Sequence, residues 1–182
     1  MSPDPDVPGV LIVGPKGAGK SSLTIALALS GWTLFSDDHV LAWRNEGQLR
    51  VSGLRVPLFL SPDAAARLPA HLPKGQPVPA MGKLMFQPDD LFPGQYRNMG
   101  RLGAILFPER APVAESKLER VTARDAFQRL LAHAPFLASD PSARPCIDVA
   151  RSIADLPAFI LHSGSDVLDP AKADRLVRTI FA

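Results

Sequence analysis

One glycine-rich segment, Gly14 to Ser21, constrains the fold of this chain more than any other feature. It reads Gly-Pro-Lys-Gly-Ala-Gly-Lys-Ser and matches the Walker A pattern at every fixed position. An apolar run of strand length, Val10 to Val13, precedes it, and a segment of helical composition, Ser21 to Ser30, follows it. A strand, a glycine-rich loop and a helix in this order are typical of a phosphate-binding loop, so the sequence predicts a P-loop domain.

The residue types in this segment explain how it would bind a nucleoside triphosphate. Glycines let backbone N–H groups turn toward an anion, and the helix N-terminus adds a partial positive charge. Lys20 is expected to reach the β- and γ-phosphates, and the Ser21 hydroxyl to ligate Mg²⁺. The predicted nucleotide-binding residues are Gly14, Pro15, Lys16, Gly17, Ala18, Gly19, Lys20, Ser21 and Ser22.

Two adjacent carboxylates, Asp37 and Asp38, follow the next apolar run, Trp32 to Phe35, which predicts a buried strand. The carboxyl end of a strand beside the P-loop faces the nucleotide in open α/β sheets. Phosphoryl transfer needs a carboxylate to hold Mg²⁺ and often a second one to accept the proton of the acceptor hydroxyl. We therefore predict both carboxylates as catalytic together with Lys20; a solvated turn is the alternative interpretation of the pair.

Four further side chains are candidates for contacts with the acceptor or the transferred phosphoryl group. His39 follows the acidic pair directly, and Lys83 lies between a proline-rich loop and an apolar run. Arg97 and Arg101 lie in the polar connection from residue 87 to residue 101, where cations would neutralise transition-state charge. The alternatives are a structural or exposed histidine and a solvated loop face.

Composition excludes several classes of function. The length of 182 residues suits one α/β domain, which we predict over residues 10–182 after a disordered leader over residues 1–9. The net charge of +2, without a run of Lys and Arg, does not indicate nucleic-acid binding. The single Cys146 allows no intramolecular disulfide and fits a reducing cytoplasm. No apolar stretch is long enough to span a bilayer, so no membrane partner is expected.

The remaining elements predict a mixed β-sheet flanked by helices. A hairpin of Val40–Trp43 and Gln48–Ser52 is expected around a turn at residues 45–47. Further predicted strands are Leu84–Phe86, Leu102–Phe107 and Ala158–Leu161. Predicted helices cover residues 61–68, 122–134 and 148–156 and the C-terminus from Asp169, and residues 69–79 are predicted as a loop.

The Walker A loop, the helix that ends at Ser30-Gly31 and the strand that ends at Asp37-Asp38 resemble the HPr kinase/phosphorylase family. The same spacing occurs in ATP-dependent phosphoenolpyruvate carboxykinase, which is similar to that family in fold. Segments 83–86, 90–93 and 156–161 resemble a divergent branch of HPr-kinase-related proteins.

This resemblance implies an ATP- and Mg²⁺-dependent kinase that transfers the γ-phosphoryl group to a hydroxyl acceptor. A serine, free or in a peptide or protein, is the favoured acceptor, and a hydroxyl-bearing small molecule is the wider class. Ser21 and Asp37 would hold the metal, and Asp38 would be the general base, with the roles of the two aspartates interchangeable at this stage. A homo-oligomer is also compatible with the resemblance.

The family's Glu-x-Arg-Gly-Leu-Gly signature is absent, since the nearest segment, residues 51–56, reads Val-Ser-Gly-Leu-Arg-Val. A standard HPr kinase with phosphorylase activity is therefore not expected. Two alternatives stay open: a small-metabolite kinase, and a nucleotide-dependent switch or ATP-binding protein without transfer activity. The sequence does not decide between ATP, GTP and pyrophosphate as the donor.

Overall fold

The computed structural model describes residues 1–2, 7–37, 40–66, 68–133 and 144–182. Its strands are β1 (Gly9–Ile12), β2 (Val40–Asn45), β3 (Gln48–Gly53), β4 (Leu58–Leu60), β5 (Gln76–Val78), β6 (Lys83–Phe86), β7 (Met99–Arg110), β8 (Lys117–Val121) and β9 (Ala158–Ser163). Its α-helices are α1 (Lys20–Leu29), α2 (Pro62–Ala65), α3 (Pro88–Leu91), α4 (Ala123–Ala132), α5 (Arg144–Ala154) and α6 (Pro170–Arg178).

The main sheet is mixed, as the sequence predicts, and β7 is its longest strand. The strand order is β2-β3-β7-β9-β8, and β1 also pairs with β7. Strands β1, β7 and β9 are parallel, whereas β2, β3 and β8 join antiparallel. The carboxyl ends of the three parallel strands therefore meet at one edge of the sheet, where the P-loop begins.

Alternate residues of β7 pack against helices on opposite faces of the sheet. Ala104 and Leu106 belong to a core cluster with residues of α1 and α6, whereas Ile105 and Phe107 belong to a cluster with residues of α4 and α5. The chain is thus an α/β protein with a central mixed sheet flanked by helices, as the sequence predicts.

The hairpin prediction is confirmed. β2 and β3 pair from Val40 opposite Gly53 to Asn45 opposite Gln48, so a two-residue turn joins them. The turn residues Glu46 and Gly47 have φ values of 49° and 77°, which is the left-handed region that such hairpin turns require.

The predicted helix starts are also confirmed. Ser61, Thr122 and Asp169 each accept a hydrogen bond from a backbone N–H in the first turn of α2, α4 and α6. Helix α2 is shorter than predicted and ends at Ala65, and α5 begins earlier, at Arg144. The end of the helix predicted to residue 134 lies partly outside the described residues.

Two expectations are wrong, and one strand was missed. Residues 76–78, predicted as loop, form β5, an outer strand of a separate three-stranded sheet in the order β4-β6-β5. Pro77 is tolerated there because an outer strand leaves one row of N–H groups unused. β8 was not expected from the sequence. Most of the predicted strand at residues 32–35 is buried, but within the described residues Thr33 and Leu34 form only isolated bridges, to Ser2 and Tyr96.

The expected disordered leader also needs correction where the structure describes it. Met1 and Ser2 are buried, and Ser2 bridges to Thr33. The Met1 amine donates a hydrogen bond of 2.9 Å to the carbonyl of Val10, and β1 already begins at Gly9. Residues 3–6 lie outside the described residues.

Candidate nucleotide-binding site

The glycine-rich loop connects β1 to α1 at the carboxyl edge of the parallel strands. The Val13 N–H donates to the Leu106 carbonyl at 2.9 Å and extends the pairing of β1 with β7 up to the loop. Gly17 and Gly19 have φ values of 88° and 98°, which disfavour any residue with a side chain. A Cβ on either glycine would meet no atom within 4 Å, so backbone conformation rather than space requires glycine there.

The N-terminus of α1 is suited to an anion. Gly19 provides no side-chain cap, and the first turn of the ten-residue helix contains no acidic residue. The first intrahelical hydrogen bond of this end runs from the Leu23 N–H to the Gly19 carbonyl at 2.9 Å. Because the N–H groups before Leu23 have no intrahelical acceptor, they and the helix dipole favour negative charge at this point.

Lys20 folds back over the loop. Its ammonium donates hydrogen bonds of 2.9 Å to the Gly14 carbonyl and 3.1 Å to the Pro15 carbonyl. An ammonium group has three N–H donors, so two bonds to the loop leave one for a phosphate oxygen. The positive charge is thereby fixed beside the backbone donors of the loop.

Ser21 and Asp37 meet at the start of α1 although they are far apart in sequence. The Ser21 hydroxyl donates to Oδ2 of Asp37 at 3.3 Å. Asp37 lies three residues after Leu34, whose backbone is held by hydrogen bonds with Gln95 and Arg97. A hydroxyl and a carboxylate form the oxygen donor set that Mg²⁺ prefers.

This donor set fits a metal that shares its ligands with a nucleotide. Among the described residues, no three or more His, Cys, Asp or Glu side chains are grouped to hold a metal by themselves. Mg²⁺ usually binds to one or two protein oxygens together with water and substrate phosphates. The pair Ser21 and Asp37 beside the anion-binding loop matches that mode.

A cavity of about 500 Å³ runs from this loop along the sheet. This volume lies within the usual range for small-molecule sites. At the loop end the cavity is lined by polar or charged residues, among them Lys16, Lys20 and Asp37. The rest of its lining is mainly apolar and includes Val13, Phe35, Val40, Val51, Leu102 and Leu130.

Several predicted site residues come together here and others do not. Gly14, Pro15, Lys16, Lys20 and Asp37 line this cavity. The Ser21 hydroxyl contacts Asp37 as described above. Ser22 instead lines a small cavity against Leu168, on another side of α1. Asp38 and His39 lie outside the described residues.

The three positively charged side chains predicted at the site lie in different parts of the fold. Lys83 begins β6 in the small sheet and does not line the cavity at the P-loop. Arg97 is exposed, and its N–H donates to the Leu34 carbonyl at 3.0 Å, which puts its backbone beside the segment that leads to Asp37. Arg101 lies near the start of β7, opposite Arg50, and lines a different cavity of about 360 Å³. The structure thus does not bring Arg101 to the P-loop.

The structure also identifies site residues that sequence reasoning missed. Thr24 is buried and lines the cavity one helical turn after Lys20, a spacing visible in the sequence. Leu130 and His133 reach the cavity from the end of α4, and no local pattern predicts this long-range approach.

At the same sheet edge, Arg129 donates to Glu109 at 2.6 Å and lies over the Phe107 ring, with its guanidinium carbon 5.6 Å from the ring centre.

Comparison with known proteins shows a similarity in structure but none in sequence. No protein-family model matches the chain, and no curated protein matches it either. The fold is similar to the solved structure of the HPr(Ser) kinase/phosphatase from Coxiella burnetii, with a TM-score of 0.48 and 17% sequence identity. The match covers 96% of this chain and 83% of that chain. No helix in the described part of the chain has the length and apolar character needed to cross a membrane.

Proposed function

We propose that this protein is an ATP- and Mg²⁺-dependent kinase that transfers the γ-phosphoryl group to a hydroxyl acceptor. The observation that carries the proposal is the contact of 3.3 Å between the Ser21 hydroxyl and the Asp37 carboxylate, formed at the N-terminus of α1 beside Lys20. An anion-binding loop alone would support nucleotide binding. The additional pair of oxygen ligands supports use of a metal-bound triphosphate.

Each part of the loop has a role in this proposal. Backbone N–H groups of the loop and of the first turn of α1, together with the dipole of α1, bind the phosphate oxygens. Lys20 stabilises the negative charge that develops on the β- and γ-phosphates, and Lys16 contributes at most a weaker, exposed charge. Ser21 and Asp37 hold Mg²⁺, which neutralises phosphate charge when it is bound.

Asp38 is the general base in this proposal because it directly follows Asp37 in the chain. The oxygen of the acceptor hydroxyl forms a bond to the γ-phosphorus while the bond between this phosphorus and the β–γ bridging oxygen breaks. Asp38 takes the hydroxyl proton, and the electron pair of the broken bond leaves with ADP. Exchanged roles of Asp37 and Asp38 are the alternative within the same mechanism.

The resemblance described above supports serine, free or within a peptide or protein, as the acceptor. It also supports ATP as the donor. A cytoplasmic location and a homo-oligomeric state complete the proposal. His39, Arg97 and Lys83 remain proposed contacts of the acceptor or the phosphoryl group.

The proposal is tested by following the γ-label of ATP, with Mg²⁺, onto a panel of acceptors. The panel contains free serine, serine peptides, an HPr-like protein and small hydroxyl metabolites. Asp38→Asn should lower transfer by roughly 10² to 10⁴ while ATP binding persists. Asp155→Asn, at an exposed position away from the P-loop, is the matched control and should keep full transfer.

Two results would contradict the proposal. Near-normal transfer by Asp38→Asn would remove this residue as the base. ATP hydrolysis that no acceptor accelerates, with no labelled acceptor in the panel, would identify a nucleotide-dependent switch instead of a kinase.

A further inference from the structure

Side chains of β2, β3 and the start of β7 form two rows across one face of the main sheet. Residues that are partners in antiparallel register point to the same side of a sheet. The register gives Leu41 opposite Ser52 and Ser52 opposite Met99, and in the next row Trp43 opposite Arg50 and Arg50 opposite Arg101. We call the surface made by these two rows, Leu41, Ser52, Met99, Trp43, Arg50 and Arg101, the hairpin face.

The hairpin face exposes large apolar side chains. Leu41 is 61% exposed, Met99 is 65% exposed and Trp43 is 36% exposed. On the opposite side of the same strands, Val51 and Leu102 are buried in the core with α4 and α5. The small Ser52 lies between Leu41 and Met99, so this row is low in the middle and apolar at both ends. A cluster of exposed apolar side chains of this kind marks an interaction site.

Strand β2 also has a free edge. It is the last strand in the order of the main sheet, and within the described part of the chain it pairs only with β3. Natural edge strands are usually protected by prolines, several charges, bulges or very short length. β2 has six residues, no proline and one charged residue, Arg44. Its backbone N–H and C=O groups are therefore suited to pairing with an added strand.

The charge of the hairpin face selects the partner. Arg50 lies in the middle of the hairpin face, opposite Trp43 of β2 on one side and opposite Arg101 of β7 on the other. Arg50 forms no ion pair with a described residue, and the hairpin face contains no acidic side chain. A second copy of the chain would bring a second Arg50, of the same sign, so charge favours an acidic partner over self-association.

We propose that the free edge of β2 and the hairpin face bind an extended acidic polypeptide segment as an added strand. An apolar residue of the segment lies beside Leu41. An acidic residue two positions along lies beside Trp43, where its carboxylate reaches the Arg50 guanidinium. This binding surface is independent of the proposed kinase activity, because it uses none of the P-loop residues.

The test uses the two tryptophans as a built-in contrast. Trp32 is 0% exposed, so quenching of fluorescence by acrylamide reports on Trp43. The probe is a peptide of about eight residues, a typical strand length, that repeats Val-Thr-Glu-Thr; the control peptide has lysine in place of glutamate. The glutamate peptide should lower quenching severalfold and saturably, and the signal should be absent in Trp43→Phe.

Variants then locate the binding site. Leu41→Glu and Arg50→Glu should each weaken binding of the glutamate peptide at least tenfold. Val113→Glu, at a position that is 43% exposed and outside the hairpin face, is the matched control and should bind normally. Sedimentation of the protein alone measures self-association in the same samples.

Each alternative outcome overturns the proposal. Unchanged quenching with millimolar glutamate peptide would exclude the binding surface. Equal binding of the lysine peptide would exclude recognition of acidic charge. Protection of Trp43 that depends only on protein concentration, with a dimer in sedimentation, would identify a second copy as the occupant. Equal binding by Leu41→Glu and the wild type would locate the peptide elsewhere.

Discussion

At the scale of residues, Lys20 and Lys16 test whether the loop is organised as we propose. Both are lysines of the glycine-rich loop, but only Lys20 is bonded to the loop carbonyls, at 2.9 and 3.1 Å, whereas Lys16 is exposed. A hydrogen bond to a charged group contributes about 1.5–3 kcal/mol, which corresponds to roughly 10- to 100-fold in affinity.

We therefore expect Lys20→Ala to weaken ATP binding, measured by calorimetry, by about this factor and to abolish turnover. Lys16→Ala should change the affinity less than about threefold, because an exposed charge is screened by water. Equal losses in the two variants would show that the affinity reflects only the overall positive charge of the loop.

Asp37 tests the proposed metal ligands. Asp37→Asn removes one negative charge but keeps an oxygen that can accept the hydrogen bond from Ser21, which is 3.3 Å long in the wild type. We expect ATP turnover by this variant to need about tenfold more Mg²⁺, because an amide oxygen is a weaker ligand than a carboxylate. A Mg²⁺ titration that coincides with that of the wild type would argue against coordination by Asp37.

At the scale of elements, Ser116 ties the connection before β8 to the turn after β9. Its hydroxyl and N–H donate to the Asp166 carboxylate at 2.5 and 2.9 Å, and its hydroxyl accepts from the Gly164 N–H at 2.9 Å. Burial raises the pKa of Asp166, but the hydrogen bonds from Ser116 and the charge of Lys172 lower it further than burial raises it.

The direction of this pKa shift fixes the pH dependence. A carboxyl group with a lowered pKa in the folded state stabilises the fold above its ordinary value of 3.8, and this contribution is lost as the pH falls through the folded-state pKa. Ser116→Ala should therefore lower the free energy of unfolding by about 1 kcal/mol at neutral pH.

The difference from the wild type should shrink below about pH 4, because Asp166 is protonated first in the unfolded chain and then, at its lower folded-state pKa, in the folded wild type. Urea unfolding at several pH values measures this difference in the free energy of unfolding. Ser152→Ala is a control at a serine whose side chain, among the described residues, bonds only to the carbonyl of Asp148, and its effect should not depend on pH. A Ser116→Ala deficit that stays constant from neutral pH to pH 3 would contradict the assigned role of Asp166.

At the scale of the whole molecule, β7 connects the parts of the fold. It pairs with β1, β3 and β9, and its side chains contribute to the cores on both faces of the sheet. Leu106 in its middle is fully buried, whereas Met99 at its start is exposed. The two positions therefore give a matched pair within one strand.

Leu106→Ala should lower the free energy of unfolding by about 2–5 kcal/mol, because it removes buried apolar contacts and leaves a cavity. Met99→Ala should change it by less than about 0.5 kcal/mol, as exposed positions usually do. Urea denaturation followed by circular dichroism measures both. Similar losses in the two variants would contradict the packing described for β7.

The local part of this architecture was predictable from the sequence. The P-loop, the Glu46-Gly47 turn and the helix starts at Ser61, Thr122 and Asp169 depend on residues that are neighbours in the chain. For the same reason the approach of Asp37 to Ser21 could be anticipated, since one helix and one extended segment separate them.

Long-range pairing was not predictable in the same way. The segment at residues 32–35 is apolar enough for a strand, but whether it pairs regularly depends on Ser2 and Tyr96, far away in sequence. β5 was not predicted because it contains Pro77. A proline argues against a central strand but is tolerated in an outer one, and the sequence does not show which of the two a segment forms. Val40 and Leu130 both line the apolar end of the cavity although they are 90 positions apart in the chain, so only tertiary packing brings them together.

The central claim, transfer of a phosphoryl group rather than its hydrolysis, is tested most directly by phosphorus NMR of the protein with ATP, Mg²⁺ and free serine. We predict ADP and a phosphate monoester in equal amounts, with little inorganic phosphate, and no monoester with Asp38→Asn. ADP accompanied only by inorganic phosphate, or a monoester formed equally by Asp38→Asn, would contradict the account.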